Sequence, residues 1–130
     1  MGSDTLVLVV EDDADIRRLI QIVLEEELGV VAVVATDGGE ALRHILRARP
    51  ALVVLDILMP NVTGLELLRC LKANSTTRDI PVIAVSAVRH ALEKAREAGC
   101  TDYLDKPFDL DALIGKVRKH LPRAPEAKAA

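Results

Sequence analysis

The stretch LVVLDILMPNVTG, residues 52–64, decides how the whole chain is read. It begins with an unbroken aliphatic run, Leu52 to Leu55, with no polar alternation. Strands covered on both faces look like this, because helices packed above and below a parallel sheet leave neither side to water. The run stops at a carboxylate, Asp56, and passes through a turn bracketed by Pro60 and Gly64. A helix-period segment on Leu65, Leu68 and Leu71 follows, from about Gly64 to Ala73.

The same unit recurs on either side. Further continuous apolar runs lie at Leu6 to Val10, Val30 to Ala35 and Val82 to Val85, with a weaker strand at Asp102 to Leu104. A first helix is predicted on Ile16, Leu19, Ile20, Val23 and Leu24, ending at Leu28 with Gly29 just past its end. Asp37 and Glu40 form a capping-box pair that opens a second, running through Leu42, Ile45 and Leu46 until Pro50. A fourth spans about Ala87 to Ala98. The fifth carries Leu110, Leu113, Ile114, Val117 and Leu121, with Asp109 as its N-cap. Five strand–helix units with short connections predict a doubly wound α/β domain: a five-stranded parallel sheet, five helices and right-handed crossovers. The domain is expected over 5–121, and 122–130 reads as a polar tail or a truncated linker.

Composition sets the outer limits. At 130 residues the chain fits one domain, and its 50% hydrophobic content is ample for a core. Only 2% is aromatic, Tyr103 and Phe108, so that core is aliphatic. The net charge of −3, with no run of Lys or Arg, gives no footprint for direct nucleic-acid or membrane binding. Cys70 and Cys100 lack metal spacing and read as reduced thiols. No apolar run is long enough for a bilayer, and no signal peptide stands at the start, so the default compartment is the cytoplasm.

In sheets of this kind ligands bind beyond the carboxyl ends of the strands. There the first strand runs into Glu11-Asp12-Asp13, the third into Asp56, the fourth into Ser86, and the fifth into Asp105-Lys106-Pro107. Each has an ordinary structural use. Asp12 or Asp13 can cap a helix, Asp56 can precede a turn, Ser86 can be an N-cap, and Lys106-Pro107 a solvated turn. Jointly they gather carboxylates, a hydroxyl and an ammonium on one edge of one sheet. Clustered carboxylates raise a pKa or hold a cation, and hard oxygen ligands suit Mg²⁺. A carboxylate beside such an ion is a competent nucleophile toward a phosphoryl group, with Lys106 to neutralise its oxygens. The edge reads as an acyl-phosphate site.

With VVEDD, LDILMPNVTG, AVSA and DYLDKPF in this order, the sequence resembles a response-regulator receiver domain from about Leu6 to Leu121. The resemblance implies a flavodoxin-like fold of strand order 2-1-3-4-5. It also implies that Asp56 is the phosphoacceptor and that Glu11, Asp12, Asp56 and the backbone carbonyl of Leu58 hold Mg²⁺ or Mn²⁺. Ser86 becomes the hydroxyl switch, Lys106 the phosphate-binding lysine with a cis bond to Pro107, and Tyr103 the switch aromatic. An ordinary half-buried tyrosine on an edge strand is the alternative for Tyr103. Asp13 is left as the N-cap. Glu11 stands where many members have Asp, and Ser86 where Thr is commoner.

The function implied is a two-component signalling switch rather than an enzyme. A histidine kinase or histidine phosphotransfer protein supplies the phosphoryl group, since His44, His90 and His120 lie outside the acceptor motif. A downstream protein partner is expected on the face formed by the fourth helix, fifth strand and fifth helix, with the chain monomeric or dimerising on phosphorylation. It is expected either to stand alone or to be cut from a longer regulator. Leu58 and Val88, two residues beyond Asp56 and Ser86, are apolar and cannot orient an attacking water, which predicts a long-lived phosphate. A flavodoxin-type electron carrier is disfavoured because Glu11-Asp12-Asp13 would repel a phosphate. A haloacid-dehalogenase-type phosphatase is disfavoured because Leu58 leaves no general acid. A non-phosphorylated pseudo-receiver is disfavoured by the intact acidic pair, Asp56 and Lys106.

Overall fold

The computed structural model describes residues 5–59 and 63–122. Its strands are β1 (Leu6–Val10), β2 (Val31–Ala35), β3 (Leu52–Asp56), β4 (Val82–Ser86) and β5 (Asp102–Asp105). The helices are α1 (Ala14–Leu28), α2 (Gly38–Arg47), α3 (Gly64–Ala73), α4 (Arg89–Glu97) and α5 (Leu110–His120). All strand pairs are parallel, in the order β2-β1-β3-β4-β5, so the doubly wound α/β expectation holds.

The continuous apolar runs are explained by the two layers of core. Leu8, Val10, Val53, Leu55, Val82 and Ala84 point to one face, where Ala41 and Ile45 of α2, Leu67, Leu68 and Leu71 of α3, and Leu92 and Ala95 of α4 cover them. Their strand neighbours Val7, Val9, Leu52, Val54, Ile83 and Val85 point to the other, under Ile20 and Leu24 of α1 and Leu113 and Val117 of α5. Side chains alternate faces along a strand, so burying both faces demands apolar residues at every position. Each fully buried Leu, Ile or Val contributes about 1.5–3 kcal/mol of transfer free energy.

Local signals set the element ends. Asp13 caps α1 by accepting from the Asp15 and Ile16 N–H groups at 3.0 Å each, and Gly29 closes it at φ 67°. Three expected details differ. Asp37 does accept from Glu40 N, but the Glu40 carboxylate reaches past it to the Thr36 N–H and hydroxyl, so the box is not reciprocal. The closed capping box belongs to Thr63 and Glu66 at α3. Asp109 occupies the N-cap position of α5 without a side-chain bond. Helix α4 begins at Arg89 rather than Ala87, because the Ser86 hydroxyl takes the Val88 N–H at 3.1 Å and holds Val88 extended. Pro60 of the expected turn lies outside the described residues, as do Met1–Asp4 and Arg123–Ala130, which include all but Pro122 of the expected tail.

At the outer edge of the sheet, Val31 donates to Thr5 and Glu11 to Ala35, so the backbone of Ala32 faces outward. Its N–H is taken by Glu25 at 3.1 Å and its carbonyl by Gln21 at 2.8 Å, both from α1. The outward Thr36 N–H is taken by Glu40 at 2.7 Å.

Two glycines make opposite predictions. A Cβ on Gly64 would stand 2.2 Å from the Asp56 carbonyl oxygen and 2.7 Å from Ile57 Cα. A Cβ on Gly115, inside α5, would meet nothing within 4 Å. Gly64→Ala is expected to cost about 3 kcal/mol or more, since backbone must move. Gly115→Ala should add about 0.5–1 kcal/mol by removing a helix-interior glycine. Urea unfolding of both variants checks the pair of signs.

Candidate functional site

Register brings the strand ends level. Val10 lies beside Leu55, Asp56 beside Val85, and Ser86 beside Asp105. The residues following β1 and β5 continue the pattern, with Glu11 N donating to Ala35 O at 3.1 Å and Lys106 N to Ser86 O at 2.9 Å. Glu11, Asp56 and Ser86 are only 3%, 5% and 1% exposed.

The Lys106 ammonium bridges two of them, at 2.8 Å from Glu11 Oε1 and 3.1 Å from Asp56 Oδ2. The other oxygen of each carboxylate is held by backbone. Leu58 N donates to Asp56 Oδ1 at 3.1 Å, and Asp13 N to Glu11 Oε2 at 3.1 Å. The peptide bond from Lys106 to Pro107 is cis. Burial, and next the Glu11 carboxyl, push the Asp56 pKa up to about 6, against the pull of Lys106. Burial also works against the Lys106 charge, but its bond to Glu11 and the nearby Asp56 carboxylate hold its pKa above the ordinary lysine value.

One carboxylate oxygen from each of Glu11, Asp12 and Asp56 lies within 4.8 Å of the others. Three hard anionic donors, two on buried side chains and one on the exposed Asp12, fit Mg²⁺ or Mn²⁺, which keep several waters. The residues named from sequence thus divide into three groups. Glu11, Asp12, Asp56 and Lys106 meet, and Ser86 joins them through the Lys106 backbone. Leu58 and Val88 are 50% and 45% exposed, so their side chains stand at the surface.

Tyr103 belongs to a different cluster. Its ring packs half-buried on the α2–α3–α4 side of the core. Arg96 of α4 lies 5.3 Å from the ring centroid and Lys116 of α5 lies 5.9 Å from it. The adjacent Asp102 accepts from Lys116 at 2.8 Å and from Tyr103 N at 2.8 Å, and sits 3.0 Å from His120 Nε2. Burial raises the Asp102 pKa, but the bonds from Lys116, His120 and the Tyr103 backbone outweigh it and hold the carboxyl at about 2.

Two contacts at the site escaped sequence reasoning. Arg17 Nη1 donates to the Glu11 carbonyl at 3.0 Å and the Asp12 carbonyl at 3.4 Å. Its partners are main-chain oxygens, so no residue pattern announces them. Arg89 reaches Asp105 at 3.5 Å across the start of α4, an exposed pair of low energetic weight.

The strained protonation of Asp56 has a measurable consequence. A carboxyl whose folded pKa is raised binds its proton more tightly when folded. Its contribution is therefore intact below its ordinary value of 3.8 and lost as pH rises through about 6. In metal-free buffer, Asp56→Asn is expected to be more stable than the parent at neutral pH, with the difference shrinking to near zero in acid. Urea midpoints across that range check it, and an Asn variant less stable at neutral pH would contradict the sign.

Comparison with known proteins agrees with this geometry. Residues 7–118 match the family described as "Response regulator receiver domain". The chain is 35% identical over 124 residues to response regulator ArlR of Staphylococcus saprophyticus, covering 94% of this chain and 54% of that one. It is 35% identical over 123 residues to protein PilG of Pseudomonas aeruginosa, covering 92% of this chain and 90% of that one. Among solved structures, the receiver domain of the Francisella response regulator 1452 superposes with a TM-score of 0.80 at 36% identity, over 89% of this chain and 95% of that one. Chemotaxis protein CheY4 of Vibrio cholerae gives 0.83 at 26% identity, over 92% of this chain and 100% of that one. The chain spans about half the length of several curated relatives, including ArlR and, at 52%, the phosphate regulon regulator PhoB of Escherichia coli. With its five-stranded 2-1-3-4-5 sheet and acidic strand-end site, the chain belongs to the response regulator receiver domain family.

Proposed function

We propose that the chain takes a phosphoryl group onto Asp56 from a phosphohistidine on a partner kinase or histidine phosphotransfer protein. The observation that carries this reading is the Asp56 carboxylate, buried at a strand end between the Lys106 ammonium and the Leu58 N–H. That arrangement orients one nucleophilic group and supplies a cation for charge that arrives with the phosphoryl oxygens.

In the transfer, an Asp56 carboxylate oxygen forms a bond to phosphorus as the phosphorus–nitrogen bond to the donor imidazole breaks, and the imidazole leaves with that electron pair. Mg²⁺ (or Mn²⁺), when held by Glu11, Asp12, Asp56 and the Leu58 carbonyl, supplies further positive charge to the phosphoryl oxygens. Lys106 exchanges its bond to Asp56 for one to a phosphoryl oxygen. Ser86 accepts from Val88 N, which leaves its proton to donate to the phosphoryl group. Movement of Ser86 toward that group draws on the Val88 turn, and so on the start of α4. Tyr103 lies one strand over, between residues of α4 and α5, where its rotation reshapes the α4–β5–α5 face.

The output follows from that face. A protein partner, or a second copy after phosphorylation, docks there, and the chain acts as a switch rather than as a catalyst on a separate substrate. The site works in the cytoplasm, and no described helix is long and apolar enough to cross a membrane. Leu58 and Val88, exposed and apolar, offer no group to orient water for hydrolysis, so the phosphate persists.

Incubation with acetyl phosphate and Mg²⁺ should add one phosphoryl group by mass spectrometry, and Asp56→Asn should take none. An unlabelled parent, or a labelled Asn variant, would overturn the reading. After donor removal the label should decay over minutes or longer. Decay within seconds would contradict the role given to Leu58 and Val88.

A further inference from the structure

Arg17 lies in the first half of α1, among Glu11, Asp12, Asp13 and Asp15 in the sequence. Among the described residues it forms no ion pair. Its guanidinium, on a half-buried side chain, is spent instead on two consecutive main-chain oxygens, those of Glu11 and Asp12, at 3.0 and 3.4 Å. The rest of the loop has other anchors. Glu11 is tied at its N–H to Ala35 and at its carboxylate to Asp13 N and Lys106. Asp13 is tied through its own side chain to Asp15 N and Ile16 N. Asp12 is exposed and has no such side-chain anchor: its carbonyl bond to Arg17 is the one described polar contact it makes.

We propose that Arg17 is a positioning residue for the acidic pair. By gripping the carbonyls of Glu11 and Asp12 it fixes the peptide that carries Asp12, and so keeps the Asp12 carboxylate within ligand distance of Asp56. The proposal rests on the reading that Glu11, Asp12 and Asp56 hold a divalent cation. It requires a cationic side chain to strengthen the binding of a cation, which is opposite to its direct Coulomb effect. That opposition makes the role testable by sign.

The measurement is Mg²⁺ titration of the unphosphorylated chain, followed by amide chemical shifts, for the parent, Arg17→Met and Arg17→Lys. Urea midpoints of the same proteins confirm that each is folded. Loss of a group that orients a ligand weakens metal binding by about 10-fold or more, so Arg17→Met should bind Mg²⁺ about 10-fold more weakly. Both bonds leave the single nitrogen Nη1; Arg17→Lys keeps the charge on a shorter side chain whose nitrogen falls short of that position, and should recover only part of the loss. In acetyl phosphate labelling, Arg17→Met should need more Mg²⁺ for half-maximal rate while approaching the parent rate at saturation. If charge alone mattered, Arg17→Met would bind Mg²⁺ more tightly and Arg17→Lys would match the parent; that result, or three equal affinities, overturns the proposal. Should Arg17→Met fail to fold, full parental affinity in Arg17→Lys would overturn it. A parent chain that binds no Mg²⁺ would remove the metal reading and this proposal with it, whereas normal parental binding with unmoved variants would remove the proposal alone.

Discussion

One ammonium holds the working end of this molecule together. Lys106 places a single positive charge between two carboxyl groups that come from different strands, separated by 95 and 50 residues in the chain. Both are almost wholly buried, so neither can be relieved by water. A buried like-charge pair without a counterion is among the costliest arrangements a fold can contain. The sheet makes it possible. Parallel register levels the ends of β1, β3, β4 and β5, and the backbone bond from Lys106 to Ser86 sets where the lysine stem begins. The compensation is incomplete, as the raised Asp56 pKa shows. The site therefore retains an appetite for more positive charge, which is the physical basis for expecting a divalent ion there.

Much of this was legible in the residues, for a reason that differs from element to element. Leu52 to Leu55 and Val82 to Val85 read as strands buried on both faces, and the alternation of their side chains between two cores explains why no polar residue interrupts them. Once those strands are parallel, the polar residue ending each must fall on a common edge, so the meeting of Glu11, Asp56 and Lys106 follows from order and length. Where side chains choose among several acceptors, the sequence was silent. Glu40 prefers Thr36 to its expected partner Asp37, and Arg17 ignores neighbouring carboxylates for two carbonyls. Helix α4 starts later than its residues suggest because a serine hydroxyl competes for a backbone N–H that helix propensity alone would assign to the helix. The Thr63-x-x-Glu66 box, by contrast, is a pattern the residues themselves display.

The two aromatic residues sit at the ends of this same system. Tyr103 is the second residue of β5, and Phe108 follows Lys106-Pro107, packing on the α1–α5 side of the core. Between them lie the end of β5 and, just past it, the bridging lysine. On the Tyr103 side, Arg96 and Lys116 supply cations from two helices, and Asp102 gathers Lys116 and His120. β5 is thus tied to α4 and α5 together through one ring and one carboxylate as well as through the aliphatic core.

The treatment of β2 carries a consequence for assembly. An uncovered edge of this kind, Val31-Ala32-Val33-Val34, has the composition of segments that recruit another backbone and do not let go. Gln21, Glu25 and Glu40 occupy hydrogen-bonding groups that such recruitment would need. A second chain adding itself as a strand along β2 would therefore first have to displace three side chains that already hold that edge.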